Sequence, residues 1–226
     1  MTNHAKKLVI FDLDGTLINT IDDVCICFNR ALVECGYPGR SEVFISSLIG
    51  LPLEEIIGFL LPDRVPNEEI MRVSAAYKNI YASFEKPNTK PYPGVPGVLR
   101  KLKERGVHVA VNSNKAHEIA CNMVSTIFPE FDLRVFGYGR VTTSKPSPEA
   151  VYELLEEFGV DPCEAVYVGD TSVDLETACN AGVDAIIVTW GQGKPDLFGD
   201  SRITAVVNDS AELMNAIMLE EQTGKN

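Results

Sequence analysis

Short runs of consecutive apolar residues, rich in Val, Ile and Ala, recur at residues 7–12, 107–111, 133–136, 165–168, 185–188 and 205–207. Runs that are apolar on both sides of the pleat belong to strands covered on both faces. Between them, at 95–105, 116–127, 148–158, 173–181 and 211–219, apolar residues return with the period of a one-sided helix. Gly106 and Gly159 follow two of these segments, where a left-handed residue ends a helix. Strand and helix in alternation predict an α/β fold, a parallel sheet with helices on both faces.

Residues 20–84 break the alternation. No strand pattern occurs there, and three helical ones do: 21–35, 53–61 and 67–84, the last opening on Asn67 as a cap followed by Glu68 and Glu69. A proline-containing stretch, 86–96, closes the region. The pattern predicts an all-helical insert after the first strand, residues 19–86, within a core built from 1–18 and 87–226. There is no internal repeat and no low-complexity tract.

Composition narrows the partners. The 226 residues are 45% hydrophobic, enough for a real core, and 20 Lys and Arg face 32 Asp and Glu for a net charge of -12. Such a field disfavours nucleic acid and anionic membrane as partners, whereas a small anion can still bind where a local cation receives it. Residues 1–7 are polar without an apolar signal region, and no stretch approaches the roughly 20 apolar residues of a membrane span. The six cysteines lack metal-ligand spacing, which predicts buried, reduced thiols in a cytoplasmic protein. The chain is expected to act as a monomer or homodimer, and its sequence leaves both open. The polar tail 220–226 is expected to fray, and His4, His108 and His117 have no spacing suited to a metal or triad.

The chemistry-bearing residues collect at strand ends. Phe11-Asp12-Leu13-Asp14-Gly15-Thr16-Leu17 closes the first strand, at the edge of the sheet where ligands of α/β proteins bind. A carboxylate is ionised at neutral pH and ready to attack phosphorus, and a neighbouring acid pressed by like charge can protonate a leaving alkoxide. Gly15 lets the backbone leave the strand and approach a ligand. After the second strand come Asn112-Ser113-Asn114-Lys115, a hydroxyl, an amide and a helix start able to receive phosphate oxygens. Lys145 precedes a helix after the third strand, and Gly169-Asp170 with Asp174 follows the fourth. Singly, these are also an Asx turn, an ordinary N-cap at Ser113, a solvated lysine and exposed acids at a helix start. Jointly, four carboxylates (Asp12, Asp14, Asp170, Asp174) drawn together need compensating positive charge. A hard divalent cation, Mg2+ by its preference for few carboxylates plus phosphate and water, meets that need, and Lys145 adds a second cation.

With D-x-D-G-T at residues 12–16, the hydroxyl at Ser113, Lys145 and G-D-x-x-x-D at 169–174 in this order, the chain resembles the haloacid dehalogenase-like superfamily of phosphatases, and within it the phosphoglycolate phosphatase group. The resemblance implies a Rossmann-like parallel sheet of order 5-4-1-2-3 with an inserted helical cap. It also implies roles: Asp12 as nucleophile, Asp14 as acid/base, Thr16, Ser113 and Asn114 as substrate binders, and Lys145 as charge anchor. Mg2+ would be held by Asp12, the Asp14 carbonyl and Asp170, with Gly15, Gly169 and Asp174 in support. Asn19-Thr20 stands where many relatives carry Asp-Ser, and Ser113 where the group usually has Thr. The activity implied is magnesium-dependent hydrolysis of small phosphomonoesters, 2-phosphoglycolate first, through a phospho-aspartate.

Neighbouring activities bear on that reading. Dehalogenating relatives lack an acid at Asp14's position, and phosphonatases use a cap lysine, which residues 20–77 do not contain. A broad sugar-phosphate or pyrophosphate hydrolase, a β-phosphoglucomutase-like isomerase and a non-enzymatic metabolite-binding module share the same core. The stretch 46–53, mostly apolar with hydroxyls at Ser46 and Ser47, is by resemblance the specificity loop and suits a compact leaving group. The loop Trp190-Gly191-Gln192-Gly193 either flanks the site or merely turns the chain.

Overall fold

The computed structural model describes residues 5–218, so His4 and the tail 220–226 lie outside the described residues. In chain order the elements are β1 (Leu8–Phe11), β2 (Ile18–Asn19), α1 (Ile21–Glu34), α2 (Glu42–Ser46), α3 (Leu53–Leu60) and α4 (Asn67–Ser83). There follow β3 (Lys90–Pro91), α5 (Val95–Glu104), β4 (His108–Ala116), α6 (His117–Ile127), β5 (Arg134–Tyr138) and α7 (Glu149–Phe158). The chain continues through β6 (Ala165–Gly169), α8 (Ser172–Ala181), β7 (Asp184–Val188), β8 (Ala205–Val207) and α9 (Ser210–Met218).

Six strands form one parallel sheet in the order β5-β4-β1-β6-β7-β8. Counted among these strands alone, the order is the expected 5-4-1-2-3 with a sixth strand, β8, added at the outer edge. Alternate residues of β1 enter opposite cores: Val9 and Phe11 pack with α5, α6 and α9, whereas Leu8 and Ile10 pack with α7 and α8. A strand buried on both faces needs continuous apolar sequence, which is why the run at 7–12 reads as it does. Hydrogen bonds extend the pairing past both ends of β1, from Lys7 N to Glu164 O (2.7 Å) and from Asp12 N to Val168 O (2.8 Å).

Two local expectations are corrected. Strand β4 runs to Ala116, beyond the expected end at 111, because β5 pairs with it as far as Ala116–Tyr138 across a register shift. Ser113 therefore lies in an extended segment and is no helix cap; α6 begins at His117 with Ala116 before it. In α4 the helix starts at Asn67 itself, the residue before it is Pro66, and no side chain caps the end. Pro66 O accepts from Glu69 N (3.0 Å), which draws the start of the helix one residue early.

Residues 21–83 hold four helices, with α1 packed on α4 and α2, and α3 on α4. Phe28, Tyr77 and Tyr81 stack in succession, at centroid separations of 4.1 and 5.5 Å. Helix α2 has no clear sequence signal because it is only five residues long; the Ser41 side chain caps it, accepting from Phe44 N. The chain leaves the sheet through β2 and returns through β3, an antiparallel pair joining Ile18 to Pro91. Buried Asp23, in the first turn of α1, accepts from Asn88 N, Asn88 Nδ2 and Thr89 Oγ1 (3.0, 3.0 and 2.7 Å), which fastens the start of the helical region to its return. No helix among the described residues is long and apolar enough to cross a membrane. All six cysteines are free thiols, but only Cys25 and Cys27 are buried. Cys163 is exposed because it sits in the single turn Pro162–Glu164 that leads into β6.

Candidate active site

The carboxyl ends of β1, β4 and β6, with the loop before α7, converge on one point. Asp12 follows β1 and is only 3% exposed; Lys145, 4% exposed, reaches it from the loop after β5. The Lys145 ammonium donates to Asp12 Oδ1 and Asp174 Oδ1, both at 2.6 Å. A lysine so enclosed is the opposite of a solvated surface charge. Burial pulls its ammonium down, yet Asp12 and Asp174 together hold it well above the usual lysine value.

Three buried acids form a cluster, with one carboxylate oxygen each from Asp12, Asp170 and Asp174 within 4.8 Å of the others. Burial raises the Asp12 carboxyl to about 7, with the charges of Asp174 and Asp14 adding to the rise against the pull of Lys145. Asp170 is held well above the ordinary carboxylate range by burial and then by Asp174 and Asp12. Carboxylates destabilised in this way, with hard oxygen donors facing one another, are a fit site for a divalent cation, whose charge would offset the repulsion.

The surrounding chain supports these oxygens. Thr16, expected to bind substrate, gives its hydroxyl proton to Asp170 Oδ1 (2.8 Å), and Gln192 N donates to Asp170 Oδ2 (2.6 Å). Thr171 N and its hydroxyl donate to Asp174 Oδ2 (2.9 and 2.8 Å), a capping box at the head of α8 that fixes Asp174 toward Lys145. Glycines make the closeness possible. A Cβ on Gly15, whose φ is +95°, would collide with the Asp170 carboxylate; one on Gly169 would meet Asp174, and one on Gly191 both Asp170 and the Gly15 carbonyl. Gly191 and Gly193 thus serve the site's packing rather than only a turn, since Gly193 abuts the Asp170 carbonyl. Trp190 Nε1 donates to Thr16 O (3.1 Å), which ties this loop to the first strand end.

Asp14 stands apart from the acid cluster. Lys115 donates to both of its oxygens (3.0 and 2.8 Å), and the Thr20 hydroxyl donates to Oδ1 (2.6 Å). Asp14 raises the Lys115 pKa against the opposing effect of burial. Thr20 spends its hydroxyl here and makes no cap for α1. Lys115 is the main residue that sequence reasoning left unassigned: its place after Ser113 and Asn114 was legible, its reach across to Asp14 was not. Buried Ser113 and Asn114 lie beside it, and Asn114 links segments by donating to Gly50 O (2.8 Å) and Lys145 O (3.2 Å) while accepting from Lys145 N (2.8 Å).

Between this floor and the helical region lies a cavity of about 110 Å³, walled by Phe28, Leu53, Ile56 and Tyr77 and reaching Asp12, Asp14 and Ser113. Ile49, Gly50 and Leu51 of the expected specificity loop line it; Ser46 instead hydrogen-bonds the Gln192 side chain. Arg30, Arg40, Arg64 and Arg72 do not line it, whereas Lys78 does, one residue beyond the lysine-free stretch 20–77. The helical region therefore does bring a lysine to the cavity, and this one is engaged in an ion pair with Glu54 at 3.2 Å. His117 accepts from Gly137 N (3.3 Å) and His108 stacks on Phe158 at 4.6 Å, and neither lines the cavity.

This fold and this constellation define a phosphate-handling α/β hydrolase, and comparison with known proteins agrees. A sequence model of the haloacid dehalogenase-like hydrolases matches residues 9–188, and the chain belongs to that family. The probable phosphatase IndB of Dickeya dadantii is 35% identical over 218 residues, 93% of either chain. A phosphoglycolate phosphatase of Aquifex aeolicus is 32% identical over 190 residues, covering 83% of this chain and 87% of its own. Among solved structures, a Lactobacillus delbrueckii protein provisionally assigned as a phosphoglycolate phosphatase superposes with a TM-score of 0.87 at 28% identity, over 95% of this chain and 99% of that one. The protein is accordingly a phosphoric monoester hydrolase of the phosphoglycolate phosphatase-like group.

Proposed function

We propose that the protein hydrolyses small phosphomonoesters, 2-phosphoglycolate in preference, through a phosphorylated Asp12. The observation that carries this reading is the buried Asp12 held by Lys145 at the end of the central strand, facing the cavity. In the first step an Asp12 carboxylate oxygen forms a bond to phosphorus as the bond to the alcohol oxygen breaks, and Asp14 delivers a proton to the departing alkoxide. In the second step Asp14 takes a proton from water, which attacks phosphorus and frees Asp12 and inorganic phosphate. Ser113 and Asn114 receive phosphate oxygens, and Lys145 offsets charge where nucleophile and phosphate meet. A divalent cation held by Asp12, Asp170 and the Asp14 carbonyl, Mg2+ in this reading, would supply Lewis-acid stabilisation of the phosphoryl charge. Residues 19–86 act as a lid on the core formed by 1–18 and 87–226. Closure of this lid excludes water and restricts the site to small substrates.

The cation has a readout independent of turnover. The Asp12 carboxyl, raised to about 7 in the folded protein, favours folding while protonated; that contribution is lost as pH rises from the ordinary carboxylate range through about 7. Metal-free protein should therefore lose thermal stability between pH 5 and pH 8 on this account, and Mg2+ should restore more of it at pH 8 than at pH 5. A hundredfold excess over Kd corresponds to about 2.7 kcal/mol. EDTA should stop phosphate release and Mg2+ restore it, with Ca2+ inhibiting through its looser shell. A Tm at pH 8 indifferent to Mg2+, or full activity after chelation, would remove the cation from the scheme.

Substrate preference is checked by kcat/KM for 2-phosphoglycolate, glucose 1-phosphate and pyrophosphate. The apolar wall offers few partners for sugar hydroxyls, whose desolvation would go uncompensated. A tenfold preference, about 1.4 kcal/mol in transition-state binding, is expected for 2-phosphoglycolate; the same margin for either rival overturns the substrate but leaves the phosphatase standing.

A further inference from the structure

The leaving-group side of the cavity is apolar but for a few groups, and their pairing is uneven. Lys78 and Glu54 neutralise one another at 3.2 Å, with both side chains substantially exposed. Lys115 is deeper, its side chain 10% exposed, with its ammonium 5.0 Å from the centre of the Tyr81 ring. An ammonium has three N–H donors. Among the described residues only Asp14 accepts from this one, through two oxygens, which leaves the third N–H without a carboxylate, carbonyl or hydroxyl partner. Tyr81, which also walls the cavity, is 1% exposed, and its hydroxyl has no hydrogen-bond partner. A buried donor left without an acceptor is unfavourable, so both residues present unmet polar capacity beside an otherwise apolar wall. An anionic oxygen brought in by a ligand would take the free N–H as a short, charge-assisted bond.

We propose that Lys115, with Tyr81 beside it, is the subsite for a carboxylate on the leaving alcohol, so that the substrate class is phosphomonoesters of small hydroxy acids. The inference rests on the phosphatase reading above, since it needs the phosphate seated at Asp12. Lys115 and Asp12 border the same cavity of about 110 Å³, so phosphate and carboxylate must be separated by a short chain, as in glycolate. Lys115 then serves two groups at once. It keeps Asp14 in place and it identifies the substrate, so that the residue beside the proposed acid/base is occupied by the substrate's second charge when the correct ester is bound.

The binding test uses the wild-type protein with Mg2+ and two phosphonates that cannot be hydrolysed, 3-phosphonopropionate and propylphosphonate, which differ only in a carboxylate against a methyl. Calorimetry should show 3-phosphonopropionate binding at least tenfold tighter. Lys115→Met should bring the two affinities within about threefold of each other, and Lys115→Arg should restore part of the difference. Equal affinities in the wild type overturn the subsite, as does a preference that Lys115→Met leaves intact. Because neither ligand turns over, these results are separate from the fate of the hydrolytic reading, which fails only if the wild type releases no phosphate from any ester.

Discussion

Asp12→Asn is expected to lower kcat by a factor on the order of 10⁵ or more, the scale on which removal of a covalent nucleophile acts, while the protein remains folded. The amide has nearly the shape of the carboxylate but lacks the charge needed to attack phosphorus. Loss of a buried acid usually threatens stability through the partner left behind. Here the partner is Lys145, and it keeps its 2.6 Å bond to Asp174. Moreover, Asp12 is itself an uncomfortable charge, pushed up to about 7 by burial and by its acidic neighbours. Metal-free Asp12→Asn should thus melt at or above the wild-type Tm at pH 8, where the native carboxylate is ionised. Calorimetric scans and a phosphate-release assay on the same preparation check both halves. Near-normal turnover by the variant would eliminate the phospho-aspartate, and a large drop in Tm would show that Asp12 is there for structure.

The parts of this architecture legible in the sequence are those whose physics is local or periodic. Continuous apolar runs located the strands, and the helical period located the larger helices, because burial on two faces or one leaves different patterns. Asp12 and Asp170 were legible because each directly follows a strand, and a parallel sheet brings strand ends together whatever lies between; Asp174 joins them from the first turn of α8, whereas Asp14 turns to Lys115 instead. What escaped was determined by cross-chain geometry. The polar stretch 112–115 reads as a loop, yet β5, paired at Asn112 and again at Ala116, keeps it extended. Asp23 looks like a helix-start acid, but it is buried and holds Asn88 and Thr89, 65 and 66 positions away. The Lys115–Asp14 pair spans 101 positions, and nothing in either local sequence signals it. Lys145 had an unremarkable local context as well; only its order among the other motifs made it legible.

Asp14→Asn should separate the two halves of the reaction according to the leaving group. With 2-phosphoglycolate the departing alkoxide is strongly basic and needs a proton as it leaves, so kcat/KM should fall by about 10²–10⁴, the usual contribution of a positioned acid. With p-nitrophenyl phosphate the departing phenolate is stable without a proton, and phosphorylation of Asp12 should be slowed much less. The second step still needs Asp14 as a base toward water. The variant should therefore release one equivalent of p-nitrophenol per active site in a burst and then turn over slowly, with the phosphate retained on Asp12. The geometry supports reading this as chemistry rather than collapse. An Asn at position 14 keeps an oxygen for Lys115 and Thr20, which now hold Asp14 at 2.8–3.0 and 2.6 Å. Rapid-quench measurement gives the burst amplitude, and mass spectrometry of the quenched protein locates the phosphate. A burst near one equivalent with phosphate on Asp12 assigns both residues. No burst, together with equal losses for the two esters, would move the acid/base role away from Asp14 and leave it as the group that holds Lys115 in the cavity.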